Sequence, residues 1–183
     1  MPSKQFQFGA AILGLAMVLG GCSMLPHPEN SSTRPPPAPV KTLSEEDTIK
    51  QVVEPAKTIV AVAALQDVSG GVGFEACNDQ GEPPYRGRLE MGFRIPDDIE
   101  PKKYFEQIAQ TMVQQGNGWY DGPPPGKNPF GTVIHTDTVF AIIGQNPVAR
   151  EDGYVHVFGE CRNMDEHKDG SSVNVTDQLI SGS

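Results

Sequence analysis

The sharpest pattern of apolar and polar positions lies at residues 86–95. Leu89, Met91, Phe93 and Ile95 are apolar, and Arg88, Glu90, Gly92 and Arg94 alternate with them. A period of two predicts a strand with one buried and one wet face. A helical period follows: Tyr104, Phe105, Ile108 and Met112 form a stripe behind Asp97, Asp98 and Pro101, and Gly116 ends it. Earlier, Ser44 precedes Glu45, Glu46 and Asp47, which reads as an N-cap with acidic groups at the positive end of a helix dipole. Ile49, Val52 and Val53 continue at helical spacing, and residues 56–65 stay apolar. Pro55 inside this run predicts a kink or a two-part helix.

The Gly-interrupted stretch 68–76 leads into a strand expected at 72–77, and Pro83-Pro84 marks a loop. Residues 119–130 form a Pro/Gly loop. Residues 132–143 and 154–161 read as two strands joined by 145–153. A pairing centred on that loop sets Val139, Ala141 and Ile143 against Gly159, Val157 and Val155. It sets Phe140 against Phe158 and Ile142 against His156. Apolar residues on both faces predict inner strands. Val173 and Val175 start one more short strand, and the tail beyond it is expected to fray. Helices separated by antiparallel hairpins give an α+β two-layer sandwich. The expected sheet is antiparallel with four to five strands, two main helices on one face and one disulfide.

One more apolar run has no counterpart in that sandwich. Residues 8–19 are uncharged and mostly apolar, with Lys4 before them. A membrane span needs about 20 such residues, so this run fits the core of a secretory signal peptide. It ends in Leu19-Gly20-Gly21-Cys22, which resembles the lipobox of bacterial lipoproteins. The resemblance implies cleavage between Gly21 and Cys22, and a diacylglyceryl thioether on the Cys22 sulfur. Each buried CH₂ adds roughly 0.8 kcal/mol to anchoring, so two or three acyl chains suffice for stable attachment. Pro26, Pro28, Pro35, Pro36, Pro37 and Pro39 then fall among polar residues. Such a stretch cannot bury enough apolar area to order itself, and reads as an extended spacer. Ser31, Ser32 and Thr33 beside the prolines are candidates for O-linked sugars. The expected organisation is a lipoprotein signal peptide at 1–21, a lipidated Cys and Pro-rich tether at 22–43, and one α+β domain at 44–183.

Composition narrows the partners. The chain has 183 residues, 14 basic against 23 acidic, and a net charge of −9. No basic block occurs, which argues against nucleic acid, where affinity comes from cations on phosphates. An acidic domain is also repelled by an anionic bilayer, so the lipid rather than the surface holds it. The cysteines number three. With Cys22 assigned to lipid, Cys77 and Cys161 form an even pair in an exported, oxidising compartment and are expected to be disulfide-bonded. Their spacing is unlike a CxxC redox or metal pair.

Candidate chemistry is sparse. His135 and Asp137 share a strand face two residues apart, a candidate metal edge or acid–base pair, and the hairpin register above sets His135 opposite residue 163, too far along the strands from His156 to complete a three-ligand set. His27 falls in the tether. His156 and the run Asp165, Glu166, His167 and Asp169 read as half-buried or solvated side chains, without the spacing of a calcium loop. Ser69, Gly70, Gly71 and Gly73 follow a helix and precede a strand, the reverse of a phosphate loop. Pro123, Pro124 and Pro125 near Trp119 and Tyr120 read as a plain rigid loop, with recruitment of a partner or covering of a ligand groove as the functional alternative. The sequence therefore assigns no catalytic residue, no metal ligand and no cofactor beyond the covalent lipid on Cys22.

Four segments together resemble the small mycobacterial envelope lipoproteins of the LppA type, which include LppB and LppV. They are the lipobox, the Pro-rich tether, FEACNDQGEPPYRG around Cys77 and GYVHVFGEC ending in Cys161. The resemblance implies export, lipidation of Cys22 and attachment at the outer, extracytoplasmic face of the cell membrane; it brings no activity. The expected function is a non-enzymatic binding module. Its partners would be the membrane through its anchor, the lipoprotein-processing enzymes, and an envelope protein, host surface or lipid. The alternative is a carrier holding an apolar ligand in a cavity lined by Val60, Leu65, Phe93, Ile108 and Met112.

Overall fold

The computed structural model describes residues 41–181. The expected signal peptide, the cleavage point at Gly21 and Cys22, and the tether as far as residue 40 lie outside the described residues, as does the end of the chain beyond 181.

Helix α1 spans Glu45–Ala63 and starts where the sequence places it, with the Ser44 hydroxyl accepting the Asp47 N–H at 3.1 Å. Pro55 sits inside α1 without dividing it into two helices. Val52 and Val53 before it and Ala56, Ile59 and Val60 after it are all buried, and this shared packing outweighs one missing backbone bond. Strands β1 (Gln66–Ala76) and β2 (Tyr85–Arg94) follow, then α2 (Pro101–Gln114), capped by the Glu100 carboxylate on the Lys102 and Lys103 N–H groups. Four strands come next: β3 (Tyr120–Asp121), β4 (Thr132–His135), β5 (Phe140–Gln145) and β6 (Asp152–Phe158). Strand β7 (Ser172–Asn174) and helix α3 (Thr176–Ile180) complete the described chain.

The strands form one antiparallel sheet in the order β3-β4-β5-β6-β2-β1-β7. The α+β class and the helices on one face are as expected, but the sheet has seven strands rather than four or five. The expected single strand at 132–143 is a hairpin. The Thr136 hydroxyl accepts the Thr138 and Val139 N–H groups, and the Thr136 N–H donates to the Val139 carbonyl at 2.8 Å, which closes the turn. Tyr120 and Asp121 pair with β4 from inside the expected loop. β5 and β6 pair in the register read from the sequence, with Phe140 opposite Phe158 and Ile142 opposite His156.

The tail is docked rather than frayed. β7 pairs with β1 at Gly71, Val72 and Gly73, and Leu179 of α3 is fully buried. Leu179 seats against Gly70, where an added Cβ would stand 2.8 Å from its Cδ1. A single core lies between the helices and one face of the sheet, built on Val72, Leu89, Met91, Phe93, Val155 and Val157. Each such side chain contributes about 1.5–3 kcal/mol by burial. α1, α2 and α3 all pack on that face, so among the described residues no helix lies over the other.

Candidate functional site

The uncovered face follows from register. β2 alternates, so Arg86, Arg88, Glu90 and Gly92 turn away from the core. Across the sheet, Gly73 faces Arg88 and then Phe158 and Phe140; Gly71 faces Glu90, His156 and Ile142; Ser69 faces Gly92, Tyr154 and Gly144. On the outer side, Ser172 and Asn174 of β7 stand opposite Gly73 and Gly71. β1 is therefore bare between two strands that carry side chains, and a trough runs along it. One groove of about 530 Å³ is lined by Ser69, Gly71, Glu90, Gly92, Tyr154 and His156, with Asn174 at its rim. A second, of about 380 Å³, adjoins it over Gly73, Glu75 and Arg88. The two share Gly71, Glu90 and Ser172.

The trough's inner wall is ordered by stacking. Tyr154 and His156 stack with centroids 4.5 Å apart, and Phe158 stacks on Phe140 at 4.8 Å. The Arg86 guanidinium sits 4.6 Å from the Phe158 ring while bonding Glu75 at 2.7 Å. Arg88 pairs with Glu90. Burial pushes the His156 imidazole pKa down, Arg88 acts in the same direction, and Glu90 opposes both. Beyond the aromatic pair, Pro124 and Lys127 border a third groove of about 360 Å³ beside Cys161, so the proline loop does flank a groove.

Of the residues singled out from the sequence, His156, Ser69, Gly71 and Gly73 line the trough, and the others fall elsewhere. His135 ends β4, with its Nδ1 2.8 Å from the Gly122 carbonyl, while Asp137 is exposed in the following turn. They share no strand face, and His135 faces Phe140 rather than residue 163. His167 stacks on Phe74 at 3.6 Å and bonds the Asn163 Oδ1 at 3.0 Å. Among the described residues no group of three His, Cys, Asp or Glu is placed to hold a metal ion, and no helix is long and apolar enough to cross a membrane. Val60, Leu65, Phe93, Ile108 and Met112 are all packed into the core cluster, and none lines a described groove.

From residue 41 the chain enters the domain at a braced point. Cys77, just past β1, is bonded to Cys161, just past β6, with their Cα atoms 6.0 Å apart. Two residues on, Asn163 is fully buried. Its amide donates to the Leu43 carbonyl and the Thr48 hydroxyl, its Oδ1 accepts the Asp165 N–H at 2.9 Å, and its backbone exchanges bonds with Tyr85. Arg162 Nε holds the Lys41 carbonyl at 2.6 Å. The polar cluster around Asn163 escaped the sequence reading because nothing local marks Asn163 as buried. The trough had a signal, Gly71 and Gly73 at i and i+2, which reads as strand interruption until β7 is known to lie alongside.

The family model described as "LppJ: Putative lipoprotein LppJ" matches residues 44–178. Relatives named "Putative lipoprotein LppJ" in Mycobacterium tuberculosis strains CDC 1551 / Oshkosh and ATCC 25618 / H37Rv are each 39% identical over 183 residues, covering 97% of this chain and 92% of the relative. A protein of the same name in Mycobacterium bovis strain ATCC BAA-935 / AF2122/97 is 38% identical over the same share. No solved structure matches. The resemblance to small mycobacterial lipoproteins read from the sequence agrees with these matches.

Proposed function

The chain belongs to the LppJ lipoprotein family, and from that premise we propose that it is exported, cut between Gly21 and Cys22, and held by lipid on Cys22 at the outer face of the cell membrane. The lipobox-like Leu19-Gly20-Gly21-Cys22 supports this anchor. The domain is a non-enzymatic binding module, and the uncovered sheet face is its binding surface. One observation carries that reading: three helices crowd one face of the sheet and leave a grooved, side-chain-rich face on the other. The carrier alternative has less support, because the five residues that would line an apolar cavity are packed against one another in the core.

A photo-crosslinker tests the surface. In the full chain, expressed in its own host, the label is placed at Ser172 on the open face or at Gln107, which is exposed on α2. Adducts from Ser172 and none from Gln107 are expected. Equal adducts from both, or none from Ser172, would overturn the reading.

A further inference from the structure

We propose that the trough over β1 takes a neutral, hydroxyl-rich oligosaccharide; this rests on the open sheet face being the binding surface. The trough is long. Its lining runs from Ser69 to Glu75 along β1, seven residues or about 20 Å of strand. It is also closed to an added strand, because Gly71, Val72 and Gly73 pair with β2 on one side and β7 on the other. No backbone ladder is left over that floor for an extended peptide, so a ligand there is read by side chains.

Those side chains are small, polar and mixed in hydrogen-bonding sense. Ser69, Ser172 and Tyr154 offer hydroxyls, Asn146 and Asn174 offer amide N–H groups while their Oδ1 atoms accept backbone N–H groups, and Glu90 offers a carboxylate. Vicinal hydroxyls, each both donor and acceptor, match such a set. Glu75 and Glu90 oppose an anionic ligand, and Arg88 opposes a cation. The scarcity of apolar side chains offers little to a lipid. Arg88 lines the second groove beside Glu90, and with its side chain 38% exposed its guanidinium adds donors for ligand oxygens. His156, kept neutral by burial, presents one donor and one acceptor to the same space.

The mature, unlipidated chain is titrated calorimetrically with chitohexaose, maltohexaose and mannohexaose, and with hexagalacturonate as the anionic counterpart. Saturable binding of at least one neutral probe is expected, weakened about tenfold or more by Gly92→Val and by Arg88→Gln. A Cβ at Gly92 meets nothing closer than 3.7 Å, so Gly92→Val puts its branched side chain on the floor, and its Tm is measured beside the parent's to confirm that the variant is folded. Gln107→Ala on α2 should bind like the parent. No binding of any neutral probe, tighter binding of hexagalacturonate, or an affinity equal to the parent's in both trough variants would overturn the proposal. If the sugars fail while Ser172 still crosslinks to a protein, the saccharide assignment falls and the open-face reading stands. If both fail, both fall.

Discussion

Replacing Cys77 and Cys161 together with serine should cost about 4.5 kcal/mol of stability. The bridge joins positions 84 apart, and in the chain-entropy model a loop of that length removes roughly 15 cal/mol/K from the unfolded ensemble. Both cysteines are exposed, so removing the sulfurs opens no core cavity, and the loss belongs to the freedom the unfolded chain regains. At about 2–4 °C per kcal/mol for a domain of this size, Tm should fall by about 9–18 °C. Urea unfolding of the unlipidated mature chain, followed by circular dichroism and by the fluorescence of buried Trp119, provides the assay. The double variant and the reduced parent should unfold together, both with a steeper denaturant slope than the oxidised parent, because their unfolded chains expose more surface. A loss below about 1.5 kcal/mol would refute the entropic reasoning. So would a double variant less stable than the reduced parent by more than about 1 kcal/mol, since that gap would mean the sulfur sites act through native contacts.

Other consequences follow from particular contacts. Asn163→Ala removes four side-chain bonds, two of them long, and should cost about 3 kcal/mol in urea melts, against little change for the exposed Asn117→Ala; equal stability of the two variants would contradict the bracing role. Gly153→Ala should lose about 1–3 kcal/mol by overpacking, because the Phe93 ring lies where the Cβ would go; a neutral effect would show that β6 and Phe93 shift freely. His156 has a folded pKa below its ordinary 6.5, so the unfolded chain takes up the proton first and stability falls as pH drops below about 6.5. His156→Gln should flatten that part of the urea-midpoint profile, and an unchanged slope would place the titration elsewhere.

Much of the sheet is legible because its inner strands obey local rules. The period-two run in β2 and the complementary apolar pairs of β5 and β6 specify face and register without further help, since a one-residue slip would turn the core outward. The N-caps Ser44 and Glu100 belong to the same local class: Ser44 is readable directly, whereas Glu100 is hidden among neighbouring acids. What is not legible is long-range. The β4–β5 hairpin reads as one strand because Val139, buried at its turn, continues the apolar pattern. The start of β1 reads as a breaker, since its glycines make sense only once Leu179 covers Gly70 and β7 lies beside Gly71 and Gly73. For the same reason α3 reads as a frayed tail. The trough is a consequence of these unread pairings, whereas the disulfide could be read because counting cysteines needs no geometry.

Intact-mass spectrometry of the protein extracted with detergent from its own host's membranes is the decisive measurement of the lipid anchor. The expected result is a chain beginning at Cys22, without residues 1–21, whose N-terminal peptide carries a diacylglyceryl group, and a Cys22→Ser form that stays uncut at Gly21 and unlipidated. A parent chain that keeps residues 1–21, or that begins at Cys22 without lipid, would contradict it.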